Sequence, residues 1–214
     1  MKSTYLMIAC ISILSANLGL GQSTGSQNYF GIKGGFQRVT TDVFISASGN
    51  TYSNKGYAPR DAFYTGIFYQ QGFGKRFAYR IEANYQQKGY AHYDQNSDVM
   101  YQNRFHYVGL TPLIGFYPIT NLSLLVGPEV NWLVKNSVYS PYSPTPAGNN
   151  RPVEVGLTAR VAYRYKWIGL EVGYFNAFNE YLFLPGVDSD TKFKNRTWQA
   201  GLFIIPGMLM QRVN

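Results

Sequence analysis

Residues 76–90, Arg-Phe-Ala-Tyr-Arg-Ile-Glu-Ala-Asn-Tyr-Gln-Gln-Lys-Gly-Tyr, carry the strictest pattern in the chain. Phe77, Tyr79, Ile81, Ala83 and Tyr85 fall on one face, and Arg80, Glu82, Asn84, Gln86 and Lys88 on the other. Alternation of period two over about ten residues defines a β-strand with two unlike faces. A water-soluble sandwich would bury the aromatic face and leave the charges outside. A transmembrane barrel inverts the pattern, with aromatics toward lipid and charges toward a polar interior. One strand alone fits both folds, so the choice falls to the connections and the N-terminus.

A chain of 214 residues is long enough to close one small barrel. It holds 19 Tyr, 14 Phe and 22 Gly with only 14% charged residues, which favours strands and tight turns over helices. The net charge of +8 would suit a polyanion partner, but Lys and Arg occur singly rather than in a compact run. Nucleic acid is therefore not expected. Residues 1–21 have the form of a secretory signal: Lys2, a mostly apolar run over 5–14, then Gly19-Leu20-Gly21 before a cut at Gln22. A lipoprotein signal ending at Cys10, the sole cysteine, is the rival, but it leaves too short an apolar core. Residues 22–214 are then one exported domain without cysteine, and any membrane span in it is made of strands.

Strands are expected over 29–38, 62–73, 76–90, 105–117, 122–132, 153–165, 168–178 and 197–205. Pro112 within the fourth could mark a bulge. Polar stretches at 39–60, 90–103, 135–151 and 179–195 read as long loops, and the other connections are tight turns, including Gly72-Phe73-Gly74-Lys75. In an antiparallel meander, alternate connections lie at opposite ends. All the short turns thus gather at one end with both termini, and all the long loops at the other. This is the plan of an eight-stranded antiparallel up-and-down transmembrane β-barrel, with brief periplasmic turns and long external loops. Phe77, Tyr79, Tyr163, Tyr165 and Trp167 then fall near the periplasmic edge, and Tyr85, Trp132 and Trp198 near the outer one.

Several motifs resemble a known family. Phe30-Gly31-Ile32-Lys33-Gly34-Gly35-Phe36 is similar to the opening strand of the PorT-like outer-membrane β-barrel family of Bacteroidetes. Residues 80–90 resemble its third strand, while Thr111-Pro112-Leu113 and Gly127-Pro128-Glu129 stand where the family often has Ile-Pro-Leu and Gly-Pro. The resemblance covers about 29–205 and implies an outer-membrane barrel linked to protein secretion or surface export.

Residues able to carry chemistry are few. Only His92 and His106 are present, which excludes His₃ and Cys-rich zinc sites. His92, Asp94 and Ser97 could be drawn as a hydrolase triad, but neighbours in one loop rarely hold that geometry. Gly72-x-Gly74-Lys75 is a hairpin turn without phosphate-loop spacing, and Asp188 and Asp190 read as solvated loop residues. The inward charges Lys33, Arg80, Glu82, Glu129, Glu154, Arg160, Arg164 and Glu171 must share a narrow interior, since eight strands leave room for side chains and little else. A paired polar core is expected, with Arg160 within ~4 Å of Glu129 or Glu171. The expectation is a monomeric, non-enzymatic barrel, without cofactor or metal, held in outer-membrane lipid and meeting protein partners through its external loops. Its rivals are a barrel-embedded lipid hydrolase, a narrow transport pore and a soluble ligand-binding barrel. The first needs a nucleophile beside a histidine, the second a water-filled lumen, the third a polar exterior.

Overall fold

The structure, a computed structural model, describes residues 28–47, 50–54, 58–94, 99–139, 149–180, 182–184 and 189–206. The expected signal peptide 1–21, with Cys10, lies outside them. Eleven strands form in chain order: β1 (Tyr29–Ala47), β2 (Asn50–Asn54), β3 (Arg60–Phe73), β4 (Phe77–Asp94), β5 (Val99–Ile119), β6 (Leu122–Tyr139), β7 (Asn149–Asn150), β8 (Val153–Tyr165), β9 (Ile168–Ala177), β10 (Leu182–Leu184) and β11 (Ser189–Ile204). Eight of them make a continuous antiparallel wall in the order β1-β3-β4-β5-β6-β8-β9-β11, and β11 pairs back onto β1 to close it. The short β2, β7 and β10 add to the rim at the long-loop end.

The wall is apolar outside. Phe36 is 80% exposed, Ile114 62%, Leu170 60% and Trp198 59%, values no water-soluble domain sustains around its whole girth. Inside, the polar face of β4 is buried from Arg80 to Lys88. Ile32, Ile67, Leu110, Val126, Leu157, Val161 and Val172 form the aliphatic band. Exposed Phe73, Phe77, Tyr163 and Tyr165 lie toward the short-turn end, and exposed Phe63, Trp132 and Trp198 lie toward the other. Amphipathic rings at both edges of an aliphatic band match the two lipid headgroup levels.

The long connections are more ordered than their polarity predicts. A tilted crossing needs about 9–11 residues, whereas β1, β4, β5 and β6 run 19, 18, 21 and 18. Much of 39–60, 90–103, 135–151 and 179–195 is therefore strand that stands beyond the bilayer as hairpins. There both faces meet water or the lumen, so the lipid no longer imposes an alternating pattern. Pairing continues from Phe36↔Ala200 up to Ala47↔Ser189 all the same.

Pro112 makes no bulge. The β5–β6 register is the same on either side of it, Leu110↔Val130 and Ile114↔Val126, which sets Pro112 opposite Pro128. Two residues without N–H groups face each other there, so no donor is wasted. The irregularities of this pair fall between His106 and Tyr107 and between Phe116 and Ile119. At the short-turn end, Gly74 takes φ +64 to close the β3–β4 hairpin, a conformation glycine adopts without strain.

Candidate functional site

The lumen holds the chain's densest chemistry. Lys33 of β1 touches Glu82 of β4 and lies 3.1 Å from Glu171 of β9. Arg80 Nη1 is 2.9 Å from Glu171, and its Nε stands 3.0 Å from Glu82 as an ion pair without hydrogen-bond alignment. Arg160 of β8 lies 2.9 Å from Glu171, 3.3 Å from Glu129 and 3.2 Å from Glu82. Lys88 meets Glu154 and is 3.9 Å from Glu129. All eight groups are at most 3% exposed. Four cations thus face four carboxylates, and this network is neutral as a whole.

The wall explains how the charges meet. β4 and β9 stand on opposite sides of the eight-membered ring, so the Arg80–Glu171 pair spans the lumen. Amides fill the remaining acceptor sites: Gln86 donates to Glu129 at 2.8 Å, Asn131 to Glu129 at 3.0 Å, and Asn195 to Glu154 at 2.7 Å. Gln199 links Gln37 and Gln86 at 3.0 and 3.3 Å. Such amides let buried carboxylates use several lone pairs, which a dry interior requires.

Seven of the eight residues singled out from the sequence enter this network: Lys33, Arg80, Glu82, Glu129, Glu154, Arg160 and Glu171. Arg164, the eighth, is not among the fully buried charges. It sits half-buried at the short-turn mouth, its guanidinium 5.2 Å from the centre of the Tyr29 ring. Its place among the buried cations is taken by Lys88, two turns of the pleat beyond Asn84 on β4. Alternation puts both residues inward, but depth along the barrel decides which is sealed in. The cue for Lys88 lay on the polar face of β4 itself.

Both ends of the network are capped by apolar side chains. Toward the external end Val43, Phe105, Tyr107 and Phe193 cluster in the lumen, with Tyr90 stacked on Phe193 at 5.9 Å. Toward the short turns Phe68, Leu113, Leu125, Ala162, Phe203 and Ile205 form a second cluster. The terminal cations rest on aromatic faces: Arg80 lies 3.7 Å from the Phe68 centroid, and Lys88 3.8 Å from that of Phe175. Ring faces attract cations, so Phe68 of the inner cap and Phe175 of β9 hold these charges as well as shielding them. Gly156 leaves the space that Phe175 occupies, since a Cβ there would meet the ring at 2.5 Å.

The residues considered for catalysis are not assembled. His106 lies on the outer face of β5, its Nδ1 2.6 Å from the Tyr85 hydroxyl. Ser97 and Asp188 lie outside the described residues, as do the side chains of His92, Asp94 and Asp190. Among the described residues no three His, Cys, Asp or Glu side chains converge as metal ligands.

Comparison with known proteins agrees with this architecture. Among curated proteins none matches the chain. Among solved structures, the outer membrane protein OprG from Pseudomonas aeruginosa is similar at 13% identity, over 84% of this chain and 96% of that one, with a TM-score of 0.51. Neisserial surface protein A (NspA) is similar at 14% identity, over 84% of this chain and 99% of that one, with a TM-score of 0.47. A family model described as outer membrane protein beta-barrel domain matches residues 21–182. The chain therefore belongs to the outer membrane protein beta-barrel domain family, as a closed eight-stranded barrel of the bacterial outer membrane.

Proposed function

We propose that this protein is a non-enzymatic, monomeric structural platform, whose plugged barrel holds external hairpins in place for protein partners. The observation that carries this reading is the lumen: four cations and four carboxylates cross-linked over the barrel and covered at each end by aromatic and aliphatic side chains. Conduction needs sites that bind ions weakly enough to release them. Charges that already satisfy one another, beneath apolar caps, favour rigidity instead. The rigid wall continues into paired strands beyond the bilayer, which fixes the hairpins relative to one another.

The resemblance to PorT-like barrels directs the platform toward protein secretion or surface export, with the hairpins or the periplasmic rim engaging the export machinery. Reconstitution in planar bilayers tests the central reading: no stepwise conductance is expected at neutral pH, and reproducible open channels would overturn it. Chemical cross-linking in native membranes, followed by identification of the captured proteins, tests the platform role. A deletion strain with unchanged surface and secreted proteins would remove the export link.

A further inference from the structure

At the short-turn end, the β3–β4 turn at 74–76 and the β5–β6 turn at 120–121 stand side by side, joined by a Tyr117 N–H that donates to the Arg76 carbonyl at 2.8 Å. Between them opens a cavity of about 290 Å³. It lies just under the ~300 Å³ at which pockets for drug-sized ligands begin. A headgroup fits this space; a whole lipid does not. Lys75, Arg76 and Arg164 all line it, and among the described residues no carboxylate does. The four acids of the buried network are engaged by its own four cations, so the described lining of this mouth has a net positive charge.

The floor of the cavity supplies a second, independent feature. Gln70 is 3% exposed, and one end of its side-chain amide bonds the Tyr117 hydroxyl. The other end, Oε1, is buried with no hydrogen-bond partner. Leaving such a group unpaired costs about 1–3 kcal/mol, so a ligand that reaches it gains from the contact. An amide can turn end for end, and a hydroxyl can answer either end, as donor or acceptor. The wall supplies the third feature. Phe77 and Ile119 are 46% and 60% exposed on the lipid-facing surface, yet they also line this cavity. One side of the site is therefore continuous with the hydrocarbon, and the other with the polar mouth.

We propose that this cavity binds the headgroup of an anionic glycerophospholipid from the periplasmic leaflet, of the phosphatidylglycerol type. Its phosphate lies among Lys75, Arg76 and Arg164, a headgroup hydroxyl reaches Gln70, and the acyl neck leaves past Phe77 and Ile119. The lipid-facing wall favours a lipid over a soluble anion. Phosphate oxygens suit the fork of an arginine and the point charge of a lysine together.

Native mass spectrometry of the full folded protein tests this, after release from mixed micelles holding phosphatidylglycerol and phosphatidylcholine of equal chain length. The native protein is expected to retain phosphatidylglycerol preferentially, and K75Q/R76Q to reduce that preference about tenfold. Gln70→Leu should erase the preference for phosphatidylglycerol over phosphatidic acid, which has the phosphate but lacks the headgroup hydroxyls. Folding of each variant is read from its heat-dependent gel migration, and Arg76→Gln alone replaces the double variant if that one does not fold. Equal retention of both lipids by the native protein, or an undiminished preference in K75Q/R76Q, overturns the site. An unchanged Gln70→Leu overturns the placement of the hydroxyl. Displacement by free glycerol phosphate at the same concentration as the lipid overturns the lipid as occupant and leaves a soluble anion in its place.

Discussion

Glu171 touches three cations at once, Lys33, Arg80 and Arg160, and is 3% exposed. Glu171→Gln leaves those groups beneath the apolar caps with one negative charge too few. Breaking a buried pair from one side typically costs about 3–5 kcal/mol. Urea unfolding from lipid vesicles should show a loss of that order. Replacing Glu171 and Arg160 together with apolar residues is expected to cost less, because no uncompensated charge remains. A Glu171→Gln variant as stable as the native protein would mean that water reaches the site. The sequence offers Glu129 or Glu171 as the partner of Arg160, because both acids stand on the strands flanking β8 and period two puts all three inward, and the structure brings both to it. Glu82 was invisible as its third partner. It reaches Arg160 from across the lumen, and no local pattern reports which side chains meet over the diameter of a barrel.

Strand alternation was legible wherever lipid enforces it. β8 and β9 run almost as their sequence pattern says, at Val153–Tyr165 and Ile168–Ala177. The pattern faded above the bilayer, where Val39, Val43, Tyr90 and Phe193 point into the lumen among polar neighbours. Those residues looked like a loop because their outer face meets water. Of these, Val43, Tyr90 and Phe193 belong to the external cap. Truncating two of its rings, F105A with F193A, removes packing worth about 3–5 kcal/mol per ring in a well-packed core. The part of that loss expressed here should appear as earlier unfolding in urea, with the outer-membrane location unchanged. Shortening the 140–148 connection should leave the folded barrel intact in detergent, since halving the length of a connection changes its closure cost by only about 0.6 kcal/mol. Loss of all folded protein would show that the connection belongs to the wall.

At the scale of the whole molecule, closure is the property on which the rest depends, and it is made at the seam between β1 and β11. The closed wall predicts that the protein fractionates with outer membranes, resists extraction by carbonate, and migrates differently on gels before and after boiling. Why the seam closes can be read from its glycines. Gly35 stands opposite Gly201, and a Cβ on Gly35 would lie 2.2 Å from the Ala200 carbonyl oxygen. A Cβ on Gly201 would lie 2.4 Å from the Gly34 carbonyl oxygen. Both obstacles are backbone, which cannot rotate away as a side chain does. Ala200, between them, points outward and is exposed. The two strands therefore approach more closely than two rows of Cβ atoms allow, and Gly35→Val should force them apart. Separated edges would expose unpaired N–H and C=O groups to hydrocarbon, at several kcal/mol for each group. The opening would not stay local, because the edges of an open sheet have no water to bind at that depth. Gly35→Val is therefore expected to abolish the heat-dependent migration, while Ala200→Val on the lipid face keeps it. If Gly35→Val migrates as the native protein does, the seam has slack, and closure rests on the cross-lumen ion pairs instead of on strand contact.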